Sequence, residues 1–73
     1  MDFEEFYRSL RGKERDEFAD RAGTTRAYIE SHLLAPVERR KVPRRPLLES
    51  LAEATDGKCS VSDLLSYFYS VAA

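Results

Sequence analysis

Gly23 stands between two stretches of helical periodicity, with Ala19 four residues before it and Ile29 six after it. No other feature narrows the possible folds of this chain as much. Two helices can cross closely through a turn of three or four residues only where a small side chain lets the backbones approach and a permissive residue reverses the chain. Ala19 meets the first need and Gly23 the second, because glycine reaches positive φ without the clash of a Cβ. Thr24 or Thr25 then caps the next helix by accepting from its unpaired first amides, a contribution of about 1 kcal/mol. Phe18, Ala22 and Ile29 face the wedge between these helices and the rest of the core.

The rest of the chain is helical in pattern and shows no strand-like alternation. Phe3, Phe6, Tyr7 and Leu10 form one apolar stripe of a first helix, ended by Arg11 and Gly12. A second helix is predicted from about Lys13 to Ala22 and a third from Thr25 to about Leu34. Pro36, Pro43 and Pro46 oppose a helix between them, so Ala35 to Arg45 is predicted as an extended loop. Pro46 suits the first turn of a fourth helix. Leu47, Leu48, Leu51 and Ala54 line its inner face, and Asp56-Gly57 stops it. A last helix is expected to begin near Ser62 as its cap and to bury Val61, Leu64, Leu65 and Phe68. The expectation is a compact all-α domain of five helices spanning residues 1–73.

A chain of 73 residues cannot bury a large core. Its single cysteine excludes an internal disulfide and a cysteine-based zinc site, which leaves oligomerisation as the remaining source of stability. Cys59 is expected to be a small buried hydrophobe. No apolar run approaches the ~20 residues of a membrane span, and the acidic opening Met1-Asp2-Phe3-Glu4-Glu5 is unlike the basic start of a secretory signal. A soluble cytoplasmic protein without a membrane partner follows as the expectation. The net charge of -1 hides an uneven distribution: Arg39, Arg40, Lys41, Arg44 and Arg45 follow the third helix, opposed between positions 36 and 46 by Glu38 alone. Such a patch matters more than the net charge, because charges act over a screening length of about 8 to 10 Å.

From Arg15 to Ser31 the chain resembles the helix-turn-helix of lambda-repressor-like and Cro-like phage regulators. An Ala, a Gly four residues on and an Ile or Val six beyond that recur in them, as Ala19, Gly23 and Ile29 do here. Gly23-Thr24-Thr25 followed by Tyr28-Ile29 adds to the likeness, which extends over residues 3–66 with the motif at about 15–34. The chain departs from the pattern at His32, where an apolar residue is usual, and in its longer, more basic linker. The resemblance implies a lambda-repressor-like domain with the helix-turn-helix at helices 2 and 3. It further implies a sequence-specific double-stranded DNA-binding regulator, most simply a Cro-like repressor of phage or prophage origin that occupies an operator near the nucleoid of a bacterial cytoplasm or an infected host.

With Ile29 turned inward, Thr25, Arg26, Ala27, Glu30 and Ser31 become the base-reading candidates. The fork of Arg26 matches guanine O6 and N7, a pair worth ~1 to 3 kcal/mol of discrimination. Ala27 suits a thymine methyl, and Thr25 or Ser31 a base or a phosphate. Glu30, one turn beyond Arg26, either accepts from cytosine N4 or holds the arginine, and holding is favoured because an unpaired carboxylate is repelled by phosphates. Lys13, Arg15, Thr24, Arg39, Arg40, Lys41, Arg44 and Arg45 are candidates for the DNA backbone, either as phosphate contacts or, for one arginine of the loop, as an arm in the minor groove. His32 is expected to be packed or at the helix end, while Tyr28 either packs inward or stacks on the DNA backbone. Tyr67, Tyr69 and Val71 are either ordinary surface or a homodimer seam, and two copies would read half-sites about one DNA turn apart.

The alternative from another class is a protein-interaction module, an adaptor, inhibitor or antitoxin-type protein on the same scaffold, since fold alone does not decide function. An enzyme is disfavoured: the lone His and lone Cys have no recognisable orienting carboxylate and no glycine-rich phosphate loop exists. No cofactor or small-molecule ligand is expected.

Overall fold

Asp2 starts the first helix. Its carboxylate accepts from the amides of Glu4 at 2.7 Å and Glu5 at 3.4 Å, two of the donors that a helix start leaves unpaired. The computed structural model describes residues 1–69, so Val71 of the proposed seam lies outside them. Helix α1 spans Phe3–Arg8 and buries Phe3, Phe6 and Tyr7. It closes at Ser9, and Gly12 does not end it; Gly12 is instead the first residue of α2, Gly12–Ala22. The Glu14 carboxylate accepts from the Arg11 amide at 2.8 Å and so caps that start.

Helix α2 ends at Gly23 in the left-handed region, φ 78° and ψ 28°. The Thr24 amide reaches the Ala19 carbonyl at 2.9 Å and the Gly23 amide the Asp20 carbonyl at 3.1 Å, the pair of bonds that closes such a helix end. Nothing lies within 4 Å of where a Cβ at Gly23 would stand, so it is the backbone angle and not crowding that calls for glycine.

Thr25 caps α3, its Oγ1 accepting from the Tyr28 amide at 3.1 Å. The helix is α over Arg26–Tyr28 and widens to π over Ile29–Leu33, which corrects the regular helix expected to Leu34. Pro36 gives the physical reason. It brings no amide to the last turn and biases Ala35 away from helix, so the closing bonds are remade. The Leu34 amide bonds the Ile29 carbonyl at 2.9 Å, and the His32 carbonyl, whose helical donor would be Pro36, takes the Lys41 amide at 3.0 Å.

The basic loop is not extended throughout. Pro36 has the φ of a helical turn, and a 3-10 turn follows it at Val37–Arg39, with the Arg39 amide on the Pro36 carbonyl at 2.8 Å. Helix α4, Arg45–Ala54, begins one residue before Pro46, which stands in its first turn as expected, and buries Leu48, Leu51, Ala52 and Ala54. Asp56 and Gly57, at φ 54° and 86°, then reverse the chain.

Helix α5 spans Val61–Tyr69 and its cap is Ser60, not Ser62. The Ser60 Oγ accepts from the Asp63 amide at 3.0 Å while the Asp63 carboxylate accepts from the Ser60 amide at 2.9 Å, a reciprocal capping box. Packed on α1 and α4, the helix turns Leu64, Tyr67 and Phe68 inward, three residues at helical spacing, and Val61 and Leu65 are exposed rather than buried.

Helix α2 packs on α4, α4 on α5, and α5 on α1. Phe3, Phe18, Ile29, Leu33, Leu51 and Leu64 form the fully covered centre, with Cys59 buried beside them. The radius of gyration is 11.1 Å, as about 11 Å is expected for one close-packed domain of this length. Among the described residues there is no strand, and no helix is long and apolar enough to cross a membrane.

Thr55 is the one buried polar residue among those described. Its hydroxyl lies 2.7 Å from the Ala52 carbonyl and 3.1 Å from that of Cys59, and it accepts from the Cys59 amide at 3.0 Å. Thr55→Val keeps the shape but strands that amide in the interior, and should lower the unfolding free energy by about 1 to 3 kcal/mol in urea titrations. A loss below about 0.5 kcal/mol, the range of ordinary surface changes, would remove the hydroxyl from the account of this turn.

Candidate nucleic-acid interface

The outer side of α3 and its π continuation carries Thr25, Ala27, Glu30 and Ser31, all exposed. Ile29 and Leu33 on the opposite side are fully buried and fix which way the segment faces. Arg26, at its start, lies back across the first turns of α2. Its Nε donates to Glu30 Oε2 at 2.9 Å, one terminal nitrogen donates to the Gly12 carbonyl at 3.2 Å, and the same nitrogen is 3.6 Å from Asp16 Oδ2. Arg26 thereby bridges α2 and α3, and the holding role expected of Glu30 has a direct geometric counterpart.

Glu30 is the hub of this cluster. The same oxygen that meets Arg26 accepts from the Tyr7 hydroxyl at 2.8 Å and lies 3.8 Å from a terminal nitrogen of Arg15. Hydrogen bonds from Arg26 first, and from Tyr7 next, hold its carboxyl below the usual range. The same Glu30 bond raises the Arg26 guanidinium. Burial, reinforced by Glu30, pushes the Tyr7 hydroxyl up to about 12. Arg15 itself is half-buried: its Nε donates to the Leu10 carbonyl at 3.0 Å and its guanidinium carbon stands 4.9 Å from the centre of the Tyr7 ring.

A second arginine is turned inward. Arg40 donates to the carbonyls of Ala35 at 3.2 Å and Tyr67 at 3.4 Å, with its guanidinium carbon 4.3 Å from the centre of the Tyr67 ring. Arg15 and Arg40 are therefore both held by the fold in this conformation, and Arg15 also faces Glu30. Their partners are carbonyls and rings brought close by packing. Arg39, Lys41, Arg44, Arg45 and Lys13 are exposed; Arg45 also pairs with Glu49 at 3.1 Å along α4. Because the Lys41 amide is bonded to His32, the exposed part of the loop begins beside the end of the third helix.

Thr24 is half-buried and leaves the capping to Thr25. Tyr28 is half-buried against the core, with its ring 5.0 Å from that of His32. Tyr67 is 7 % exposed and cannot form an outer seam, because α5 turns it onto Phe3 and Arg40. Tyr69 is exposed. Sequence reasoning missed Tyr7, Asp16 and the Gly12 carbonyl as partners in the cluster; Tyr7 read only as part of an apolar stripe, and its hydroxyl was the available sign of a polar contact. Among the described residues no group of His, Cys, Asp and Glu is placed to hold a metal ion. Compared with protein-family models, with curated proteins and with solved structures, the chain matches none of them.

Proposed function

We propose that this chain is a sequence-specific double-stranded DNA-binding regulator with a lambda-repressor-like helix-turn-helix at α2 and α3, acting as a Cro-like repressor by occupying an operator. The observation that carries this reading is the bond between the Lys41 amide and the His32 carbonyl, 3.0 Å long. It sets the exposed Lys41 of the basic loop at the end of the helix whose outer side presents Thr25, Ala27 and Ser31. Phosphate contacts from Arg39, Lys41, Arg44, Arg45 and Lys13 would then position the segment, and short side chains would meet base edges in the major groove. The left-handed Gly23, the Thr25 cap and the buried Ala19 and Ile29 support the same assignment. One short helix reaches few base pairs, so two copies on adjacent half-sites belong to the proposal.

Titration of salt against binding to random-sequence duplex tests it. Weak binding that falls steeply with salt is expected, and an Arg39→Ala/Lys41→Ala/Arg44→Ala variant should lose about one unit of log-log slope per phosphate contact removed. Arg40 is left in place because it anchors the loop to α5. Absence of binding at low salt would overturn the proposal and turn attention to a protein partner.

A further inference from the structure

Two hydrogen-bond donors and a further cation, from three helices, converge on one carboxylate oxygen. Glu30 Oε2 meets the Tyr7 hydroxyl of α1 at 2.8 Å, Arg26 of α3 at 2.9 Å and Arg15 of α2 at 3.8 Å. Glu30, Arg26 and Arg15 are open to solvent on one side, at 38 %, 37 % and 27 %, and Tyr7 closes the cluster from the buried side. Two guanidinium groups and a hydroxyl around a single oxygen make up the donor set that binds a phosphate. Here that set is filled by an anion of the chain itself.

We propose that Glu30 is an internal stand-in for a phosphate, closing an anion site made by Arg15, Arg26 and Tyr7, and that a phosphate group of a nucleic acid backbone competes for this site. As a phosphate-binding site the proposal stands without the DNA reading; its assignment to a DNA backbone rests on that reading. In the resting state two cations face two carboxylates, Glu30 and Asp16, the latter 3.6 Å from Arg26. The local charge is balanced, and an incoming phosphate gains nothing until Glu30 gives up its place. Removing the Glu30 charge alone leaves the cluster net positive, because only Asp16 then opposes Arg15 and Arg26. Glu30 therefore acts as a brake on backbone binding. It favours sites where base contacts are good enough to offset its displacement, which is how a repulsive element adds specificity.

The test compares wild type, Glu30→Gln and the remote charge control Glu53→Gln, with circular dichroism confirming the fold. Gln is isosteric with Glu and keeps an acceptor for Tyr7. Inorganic phosphate should shift the side-chain Nε–H resonances of Arg15 and Arg26 saturably in Glu30→Gln and not in wild type. On random duplex, Glu30→Gln should bind about tenfold tighter than wild type at low salt, with a log-log salt slope steeper by about one to two. Glu53→Gln should do neither, and adding Arg15→Ala to Glu30→Gln should abolish both gains. Glu30→Ala, which removes the polar end of the side chain altogether, should act in the same direction and serves if the amide side chain disturbs the cluster. A Glu30→Gln protein that answers phosphate and duplex as wild type does would overturn the proposal. A phosphate response with no duplex binding by any variant would support the anion site and overturn the DNA reading.

Discussion

Phe18→Ala is expected to remove about 3 to 5 kcal/mol of stability, the range for deleting a fully buried aromatic ring. Phe18 is 0 % exposed and its ring lies 5.3 Å from that of Phe6 and 6.2 Å from those of Phe3 and Tyr7. It joins α2 to α1 at the point where four aromatic rings meet, and neighbours held by their own helices cannot collapse far into the space it leaves. A domain of this length has roughly 4 to 10 kcal/mol in all, so the variant should lose about a third of its stability or more. Thermal unfolding should show a midpoint lower by about 15 °C or more. A change of less than about 1 kcal/mol would mean that the cavity closes and that the centre of the core lies elsewhere. Phe18→Leu, which keeps most of the volume, should fall between the two proteins.

The parts of the fold that sequence reasoning reached are those set by neighbours along the chain. Gly23 ends α2 because its own backbone angle allows it, and Pro46 enters the first turn of α4 because nothing there needs its amide. The start of α5 was equally local but was misplaced. Ser60 and Asp63 have the spacing of a capping box, and Ser62 lies inside the first turn. Which side of the helix faces inward is set by how α5 packs on α1 and α4, and that packing buries Tyr67 and leaves Val61 and Leu65 exposed. The π turn after Tyr28 and the 3-10 turn after Pro36 lie on either side of one proline, whose missing amide leaves the His32 carbonyl to Lys41.

The candidate interface was legible in part, for a related reason. Arg26 and Glu30 are one helical turn apart, and their pairing follows from spacing. Arg15 and Arg40 counted as cations because charge is all that the sequence displays. Their fate is decided by what packing brings within reach: the Leu10 carbonyl and Tyr7 ring for one, the Tyr67 ring and carbonyl for the other. A long arginine has apolar length to bury and five donors to satisfy, so an arginine in a basic run is as able to brace the run as to extend it. Arg40 braces the loop, and the exposed cations around it owe their placement to that anchor.

Raising the pH from 10 to 12 is expected to destabilise the protein strongly, and two tyrosines are the reason. Burial pushes the Tyr7 hydroxyl up to about 12, with Glu30 adding to it. Burial also pushes Tyr67 up to about 12, outweighing the opposing effect of Arg40. In the unfolded chain both return to about 10. Between these values the native state holds protons that the unfolded state has released, so the unfolding free energy falls as pH rises, by about 1.4 kcal/mol per unit for each tyrosine. Across two units the pair removes roughly 4 kcal/mol, a large share of the stability of a domain this small. Urea unfolding at successive pH values measures it directly, and the near-ultraviolet absorbance of phenolate should rise together with loss of helix. Tyr7→Phe and Tyr67→Phe should each remove about half of the slope, and the double variant most of it. A stability that stays level through pH 12 would mean that both hydroxyls reach water in the native state, and would take Tyr7 out of the closed cluster around Glu30.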